Sequence, residues 1–348
     1  MTKRLIFLLT IISLFYSSCF KKEDPIKLPD GNTTITTLSL GNEYQNEVYF
    51  DLSTNSFIVK QRRNWDLRFE SDENGWGVFI NTGKGLRLKK LNIHDLLEPQ
   101  SYDTMNIRMK DTLLDDPDGK PENSAFKDWR QYKITKNNKI YSGIYVLELP
   151  YLSGPARYKR LQIDTVTSEE FVCVFTDLYD GSGKPIVENK NKTIITKNKT
   201  QNYTYFSFEG TPHIIADQEP DKNSWDFVFT RYNHFFYNIL PNNQPFPYIL
   251  NGVLSSKNNV EVAKDSSTKF QDINATHIPI YTFSKDANAI GYDWKNHAFG
   301  AAGTYTVNSK VTYIIKDTDG YYYKLRFLDF YNALGDKGYP KFEFIQIK

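Results

Sequence analysis

The segment Ser224-Trp225-Asp226-Phe227-Val228-Phe229 decides the fold, because the chain contains it twice. The earlier copy reads Asn64-Trp65-Asp66-Leu67-Arg68-Phe69. An aromatic strand precedes each copy, and an Asp-Trp pair and a Tyr-Lys strand follow each one in the same order. These landmarks are residues 49–52, 128–129 and 158–161 in the first copy, and 205–208, 293–294 and 323–327 in the second. Matching landmarks lie roughly 156 to 165 residues apart, which predicts an internal duplication.

Composition limits the class of protein. The chain has 348 residues, of which 40% are hydrophobic and 15% aromatic, enough for two packed cores and too much for a disordered chain. The aromatic residues are mostly Tyr and Phe, 24 of each, which favour strands. The formal net charge of +2 gives no basic field for nucleic acid.

Strand-like runs of β-branched and aromatic residues fill the chain, and no long segment after the N-terminus has helical periodicity. Asp319-Gly320 separates two such runs and predicts a hairpin. We therefore expect an all-β protein made of two tandem antiparallel β domains, residues 33–180 and 193–348. The Gly-, Pro- and Lys-rich segment between them is the predicted linker.

The N-terminus predicts export. Lys3 and Arg4 precede an apolar run, residues 5–15, that is too short to span a bilayer. Ser17-Ser18-Cys19 follows and resembles the lipobox of bacterial lipoproteins, although Tyr16 stands where Leu or Val is usual. The resemblance implies a signal peptide over residues 1–18 and lipidation of Cys19, so that residues 19–32 form a lipidated tether. The alternative is an ordinary secretory peptide in which Cys19 is incidental.

Charged residues after Cys19 bear on localisation. Lys22-Glu23-Asp24 resembles the surface-export signal of Bacteroidetes lipoproteins, and the alternative is a plain charged tether. We expect an outer-membrane lipoprotein exposed at the cell surface. The second cysteine, Cys173, lies between apolar strand residues and has no disulfide partner once Cys19 is acylated, so it is predicted to be a buried small hydrophobic residue.

Several segments together resemble the HmuY-type lipoproteins of Bacteroidetes. They are residues 225–232 with their Trp-Asp and Arg-Tyr pairs, residues 290–294, and residues 305–311 followed by the Asp-Gly hairpin and Tyr323-Lys324-Leu325. Residues 33–180 match more loosely. The resemblance implies an all-β fold, capture of haem for iron acquisition, and delivery to a TonB-dependent outer-membrane receptor. Family members differ in their axial ligands, some using two histidines and others two methionines.

His297 is the first candidate ligand. It lies in a loop ahead of a Tyr-led strand, where the resemblance places an axial histidine, and small residues follow it. His277, 20 residues earlier, is the candidate partner, because low-spin ligation needs two axial ligands. The alternatives are that His297 is a solvent-exposed loop residue and that His277 caps a turn before Pro279.

The remaining candidates have less support. His234 lies among strand aromatics and reads as a surface or core residue, and His94 and His213 have no supporting context. Met105 and Met109 could ligate haem through their thioethers, although such residues more often pin a loop to a core. Trp65 and Trp225 are interpreted as fold signatures, with each Trp inward and the following Asp outward or capping a neighbouring backbone.

No zinc-hydrolase or thiol-enzyme motif is found in the sequence. We therefore predict a binding protein and no enzyme, with haem or a similar ligand as its cargo and a lipid anchor to the membrane. The alternative is a β interaction module without haem, acting as an accessory lipoprotein of an outer-membrane import complex. Its abundant tyrosines would suit such a contact surface.

Overall fold

The computed structural model describes residues 33–348 except residues 94, 100–111, 132, 137–138, 181, 185, 188–189 and 298–302. The predicted signal peptide, the tether and Cys19 lie outside the described residues, as do His94, Met105 and Met109. Within the described part, no helix has the length and apolar character needed to cross a membrane.

Antiparallel strands dominate the described chain, as the sequence pattern predicts. The first eleven strands are β1 (Thr34–Thr37), β2 (Asn46–Asp51), β3 (Ser56–Gln61), β4 (Leu67–Glu70), β5 (Val78–Ile80), β6 (Arg87–Leu91), β7 (Lys133–Lys136), β8 (Lys139–Ser142), β9 (Ile144–Glu148), β10 (Tyr158–Val166) and β11 (Glu170–Asp177).

A second set of eleven strands follows in the same order. They are β12 (Asn191–Thr196), β13 (Tyr203–Ser207), β14 (His213–Ile215), β15 (Phe227–Phe236), β16 (Phe246–Ser255), β17 (Glu261–Asp265), β18 (Lys295–His297), β19 (Tyr305–Val307), β20 (Thr312–Lys316), β21 (Tyr322–Tyr331) and β22 (Lys337–Gln346). The pairings also recur: β4 with β5 and β10 with β11 in the first set, β15 with β16 and β21 with β22 in the second. The strand order therefore repeats, in agreement with the duplicated sequence.

The larger sheets form two sandwiches. The first sandwich combines a five-stranded sheet, β12-β11-β10-β9-β6, with a four-stranded sheet, β14-β13-β4-β5. The second combines β1-β22-β21-β20-β17 with β16-β15-β2-β3. Each has one apolar core between its sheets, because alternate residues of every strand point to the same face.

The two repeats exchange their first three strands. β1, β2 and β3 lie in the second sandwich, where Phe50 pairs with Phe227, and β12, β13 and β14 lie in the first, where Phe206 pairs with Leu67. The first sandwich is therefore continuous from β4 to β14, whereas the second is closed by the N-terminal strands. Consequently the predicted division into residues 33–180 and 193–348 does not coincide with the division between sandwiches, and residues 32–348 form one compact unit.

Aromatic residues fill the second core across this exchange. The ring of Phe50 on β2 lies 5.3 Å from that of Phe227 and 5.1 Å from that of Phe342, the latter edge to face. All three side chains are at most 1% exposed. Burial of such a side chain stabilises the fold by about 1.5–3 kcal/mol, so the exchanged strands contribute much of the core energy.

The duplicated Trp-Asp pairs join one repeat to the other. Asp226 Oδ2 accepts a hydrogen bond from Leu52 N at 2.8 Å, and Asp66 Oδ2 accepts one from Phe208 N at 2.6 Å. Both carboxylates are buried, so the predicted outward position of the Asp is wrong and its predicted role as a backbone cap is confirmed. The reason is that both faces of these strands are covered, so no position on them is reserved for solvent.

Candidate functional site

His297 ends β18, a short strand that pairs with β19 and places His297 opposite Tyr305. The two rings are 4.7 Å apart at an angle of 57°. The connecting residues 298–302 lie outside the described residues. His297 is half-buried on this hairpin, so the alternative of a fully exposed loop histidine does not describe it.

Tyr305 is held in place by the last two residues of β21. Its backbone N–H donates a hydrogen bond of 2.6 Å to the hydroxyl oxygen of Tyr331, and its ring meets that of Phe330 at 5.1 Å. Burial raises the pKa of Tyr305, and the neighbouring Tyr248 and Tyr331 raise it further. The residue therefore stays neutral and presents a rigid aromatic surface beside His297.

Two lysines lie near this aromatic surface. Lys337 Nζ is 5.7 Å from the Tyr305 ring centre and donates to Gly303 O at 3.2 Å. Lys295 is buried, with its Nζ 4.3 Å from the Trp294 ring centre and 2.7 Å from Asn251 O. Burial lowers the pKa of Lys295 to about 7. One amine is thus accessible at the rim, and the other lies inside the core.

His277 does not join this site. It lies in the 3-10 helix Ala275–Ile280, where its Nδ1 accepts the Asn274 N–H at 3.4 Å and completes a capping box. The predicted capping alternative is therefore confirmed. This helix packs beside Tyr322, whereas Tyr305 is bonded to Tyr331 at the other end of β21. Ten residues of strand span roughly 30 Å, so the predicted His277–His297 pair does not form.

The other described histidines lie elsewhere. His234 is half-buried on β15, with its ring 4.6 Å from that of Tyr292 and 4.7 Å from that of Phe236, and burial lowers its pKa. This matches its interpretation as a strand residue among aromatics. His213 is exposed on β14. Cys173 is 2% exposed, and burial raises its thiol pKa, as expected of a buried hydrophobic residue.

Aromatic and aliphatic side chains are exposed where β15 turns into β16. Tyr237 is 53% exposed, Ile239 56% and Tyr248 52%. The two strands are ten residues long each and pair along their whole length, so the turn projects from the sheet. Exposed apolar side chains concentrated at one tip are typical of a contact surface.

No group of three or more metal-ligating side chains occurs among the described residues. Sequence reasoning overlooked Lys295 and Tyr331, which hold the His297 hairpin. Lys295 directly follows the Asp293-Trp294 pair, and its position next to a duplicated landmark could have identified it as a candidate.

Comparison with known proteins identifies the C-terminal part of the chain. The family model of the HmuY protein matches residues 199–344. This part of the chain is therefore similar to the HmuY family, and the match spans less than half of the chain. The matched segment begins just before β13 and ends in β22, so its first two strands lie in the first sandwich and the others in the second.

Three solved structures are similar to this chain. The crystal structure of apo PinO from Porphyromonas gingivitis is 11% identical, with a TM-score of 0.33, and the match covers 92% of this chain and 99% of PinO. A candidate lipoprotein from Bacteroides fragilis is 18% identical, with 41% and 80% covered and a TM-score of 0.22. A candidate HmuY-like haem-binding protein from Bacteroides vulgatus is 17% identical, with 41% and 83% covered and a TM-score of 0.19. No curated protein matches. Because all three TM-scores are below 0.5, the similarity to the HmuY family rests on the family model.

Among the described residues, this site provides one axial ligand for a haem iron and no second one. His297 provides an imidazole, Tyr305 and Phe330 an aromatic wall, and Lys337 a cation for a carboxylate. A bis-histidine site built from His277 and His297 does not fit, because His277 is a helix cap at the far end of the sheet. Met105 and Met109 remain predicted candidates outside the described residues.

Proposed function

We propose that this protein is a surface-exposed outer-membrane lipoprotein that binds haem, or a similar planar ligand, beside His297. It passes the ligand to a TonB-dependent receptor for uptake. The match of residues 199–344 to the HmuY family carries the proposal. The packing of His297 against Tyr305, with Lys337 at the rim, supports the position of the ligand.

In this role the protein's residues bind and orient the ligand and catalyse no reaction. The imidazole of His297 supplies one axial ligand, and a haem bound there would supply the iron to be taken up. Tyr305 restricts the rotation of the imidazole, because its ring lies against it. Lys337 offers a positive charge to a carboxylate at the edge of the site.

A haemin titration of residues 20–348, read by absorbance, tests the site. We expect a saturable Soret shift in the unmodified protein and roughly tenfold weaker binding or more in His297→Ala, equivalent to about 1.4 kcal/mol. His277→Ala is the matched control and should leave both affinity and spectrum unchanged, because His277 caps a helix elsewhere.

An unchanged spectrum in His297→Ala would remove His297 from the site. Met105→Ala and Met109→Ala, measured in the same way, then decide whether a thioether holds the ligand. If the unmodified protein gives no Soret shift beyond nonspecific adsorption, the proposal of a haem site fails.

Anchoring is tested separately from ligand binding. Lipidation of Cys19 predicts that the protein sediments with membranes and that Cys19→Ser releases it without changing the haem titration. Surface exposure predicts that protease added to intact cells degrades the protein. Resistance of the membrane-bound protein in intact cells, with degradation after lysis, would instead place it inside the outer membrane.

A second function, that of an interaction module without haem, is favoured by the exposed tip of the β15–β16 hairpin. Tyr237, Ile239 and Tyr248 are each more than half exposed there. If the tip contacts an import receptor, Ile239→Asp should weaken co-purification with that receptor and leave haem affinity unchanged. Asp217→Ala, an exposed change on another loop, is the control.

A further inference from the structure

An open pocket lies on the first sandwich, next to the Asp128-Trp129 pair. Its volume is about 370 Å³, and it is lined by Trp76, Lys127, Arg130 and Gln131. This volume lies at the lower end of the roughly 300–1,000 Å³ that is usual for small-molecule sites. The pocket is therefore large enough to hold one small polar ligand at the surface.

The pocket follows the same duplicated landmark that precedes His297 in the second repeat. Arg130 directly follows Trp129, as Lys295 directly follows Trp294. The surroundings of the two cations differ, because Lys295 is 6% exposed whereas Arg130 is exposed at the surface. Each repeat thus places a cation after its Asp-Trp pair, and the cation is accessible to a ligand in the first repeat.

Trp76 provides the apolar wall of the pocket. Its ring is half-buried against the core of the first sandwich. Its backbone carbonyl accepts the Trp129 Nε1 hydrogen at 3.0 Å, and its backbone N–H donates to Glu70 Oε2 at 3.0 Å. The indole therefore has a defined position, and the negative face of its π-system attracts the polarised C–H groups on the flat side of a ligand.

Two cations and one amide supply the polar part of the pocket. The Arg130 guanidinium lies 5.5 Å from the ring centre of Trp76, and Lys127 and Gln131 are exposed. Neither Lys127 nor Arg130 forms an ion pair with a carboxylate of the described residues. Stacking on an aromatic ring leaves the N–H edge of a guanidinium free to bind a carboxylate or sulfate through two hydrogen bonds.

Two carboxylates that adjoin the lining residues have other partners. Asp128 forms an ion pair with Lys90 and accepts the Tyr145 hydroxyl at 3.2 Å. Glu70 forms an ion pair with Lys257 at 2.6 Å. The lining itself contains no acidic residue. A negatively charged ligand is therefore attracted by two cations and meets no carboxylate in the pocket wall.

The lining limits the class of ligand. The side chains of Lys127, Arg130 and Gln131 offer many N–H donors and a single acceptor, the Gln131 amide oxygen. The ligand must therefore carry a negative charge and several acceptors, together with one flat apolar side for Trp76. A bare inorganic anion lacks the apolar side, and a neutral sugar lacks the charge.

We propose that this pocket binds an acidic sugar unit, a pyranose that carries a carboxylate or a sulfate group. The ring stacks on Trp76, and Arg130 binds the anionic group. Lys127 adds a second positive charge, and Gln131 donates a hydrogen bond to a hydroxyl. This site is separate from His297, and neither proposal depends on the other.

Calorimetric titration of residues 20–348 with short sugars tests the ligand class. We expect saturable binding of tri-galacturonic acid, of a sulfated galactose trisaccharide, or of both, and roughly tenfold weaker binding or less of neutral galactotriose. Added salt should weaken the binding of the acidic sugars, because the cations are exposed. If neither acidic sugar binds more tightly than galactotriose, the proposal is wrong. Equal affinity for triglutamate would assign the pocket to an acidic peptide and also overturn it.

Single substitutions test the position of the site. Trp76→Ala and Arg130→Gln should each weaken binding of the acidic sugar roughly tenfold or more. Trp76→Ala keeps the backbone carbonyl that bonds Trp129 Nε1. Lys285→Gln is the matched control, because it removes one positive charge from a side chain that is 76% exposed beside β17 of the second sandwich. Equal affinities of Arg130→Gln and Lys285→Gln would contradict the assignment, whereas His297→Ala should leave sugar binding unchanged.

Discussion

Arg68 and Val228 occupy equivalent positions in the two repeats, yet only one is charged. Arg68 pairs with Tyr205 across the first four-stranded sheet, and Val228 pairs with Tyr49 across the second. Each tyrosine also meets the tryptophan of its own sheet edge to face. The Tyr-Trp pair is therefore present in both four-stranded sheets. The equivalent position beside it is charged in the first sheet and apolar in the second.

A second difference concerns the length of the equivalent hairpins. β4 and β5 have four and three residues, whereas β15 and β16 have ten each. The extra length carries His234 and the exposed tip, and it lies in the part of the chain that matches the HmuY family. The comparison indicates that the second sandwich carries the elaborated surface, while the first carries a buried arginine where the second has a valine.

The largest expected effect tests the exchange of strands between the sandwiches. Residues 193–348 alone lack β1, β2 and β3, which provide Val48, Phe50 and Leu52 to the second core. We expect this fragment to give no cooperative unfolding transition. A permuted chain in which residues 33–62 follow residue 348 should fold, because Thr34 pairs with Phe344 and the two ends meet. Near-ultraviolet circular dichroism and denaturant titration measure both.

The contrary result would be informative. A cooperative fold of residues 193–348 alone would mean that β12, β13 and β14 can take the places of β1, β2 and β3. The exchange would then be one of two available pairings of the duplicated strands.

The second prediction compares Asp66 with Asp226. Asp66→Ala removes the acceptor of the Phe208 N–H and of the Tyr151 hydroxyl. It also leaves Lys84, whose side chain is 2% exposed and lies 2.8 Å from the Asp66 carboxylate, with only the more distant carboxylate of Glu209 at 3.7 Å. We expect a loss of about 3–5 kcal/mol in the free energy of unfolding. Asp226→Ala removes the acceptor of the Leu52 and Thr318 N–H groups and affects no buried lysine. We therefore expect a smaller loss of about 2–3 kcal/mol in the free energy of unfolding.

Urea denaturation measures both variants, with Asp180→Ala as the control. Asp180 accepts the Ser182 N–H in an exposed turn, so its replacement should lower the free energy of unfolding far less than either buried substitution. Equal losses for Asp66→Ala and Asp226→Ala would show that Glu209 replaces Asp66 as the partner of Lys84.

The smallest expected effect is a dependence of stability on pH. Burial raises the pKa of Asp226, Asp115 and Glu219 to about 7 in each case, from ordinary values near 4. Between about pH 4 and pH 7 the folded protein therefore binds more protons than the unfolded chain. Stability is fully present below the unfolded pKa and falls as pH rises through the folded pKa.

Denaturant titrations at pH 5, 6 and 7 measure this slope. Asp226→Asn should reduce it by up to one proton, which is at most about 1.4 kcal/mol per pH unit. Asp336→Asn, a change in the exposed turn before β22, should leave the slope unaltered. A slope that Asp226→Asn leaves unchanged would mean that Asp226 stays ionised at neutral pH.

Much of the secondary structure could be predicted from local sequence. The aromatic strand predicted at residues 49–52 overlaps β2, and the hairpin predicted at Asp319-Gly320 closes through a hydrogen bond of 2.9 Å from Asp317 N to Tyr321 O. Alternating apolar and polar residues and turn-forming residues are local signals, so they predict a strand whichever strand it pairs with. β3 was missed, since its exposed Phe57, Ile58 and Val59 do not alternate in burial.

The sites were harder to predict. His297 and Tyr305 are neighbours because β18 and β19 form a short hairpin, which is a local feature. The separation of His277 from His297 depends on which end of β21 the 3-10 helix packs against. The enclosure of Arg68 could have been suspected from Val228 at its equivalent position, since an apolar residue there indicates a face hidden from water.

The sequence by itself determined an all-β chain with an internal duplication, because strand periodicity and turn formation depend on residues that are neighbours in the sequence. Only the tertiary structure decided which of the two sandwiches each strand joins. Duplicated strands offer nearly identical pairing edges, so their partners follow from the packing of the whole chain. The same packing covers both faces of the four-stranded sheets and thereby encloses Arg68 and the two tryptophans between the sandwiches.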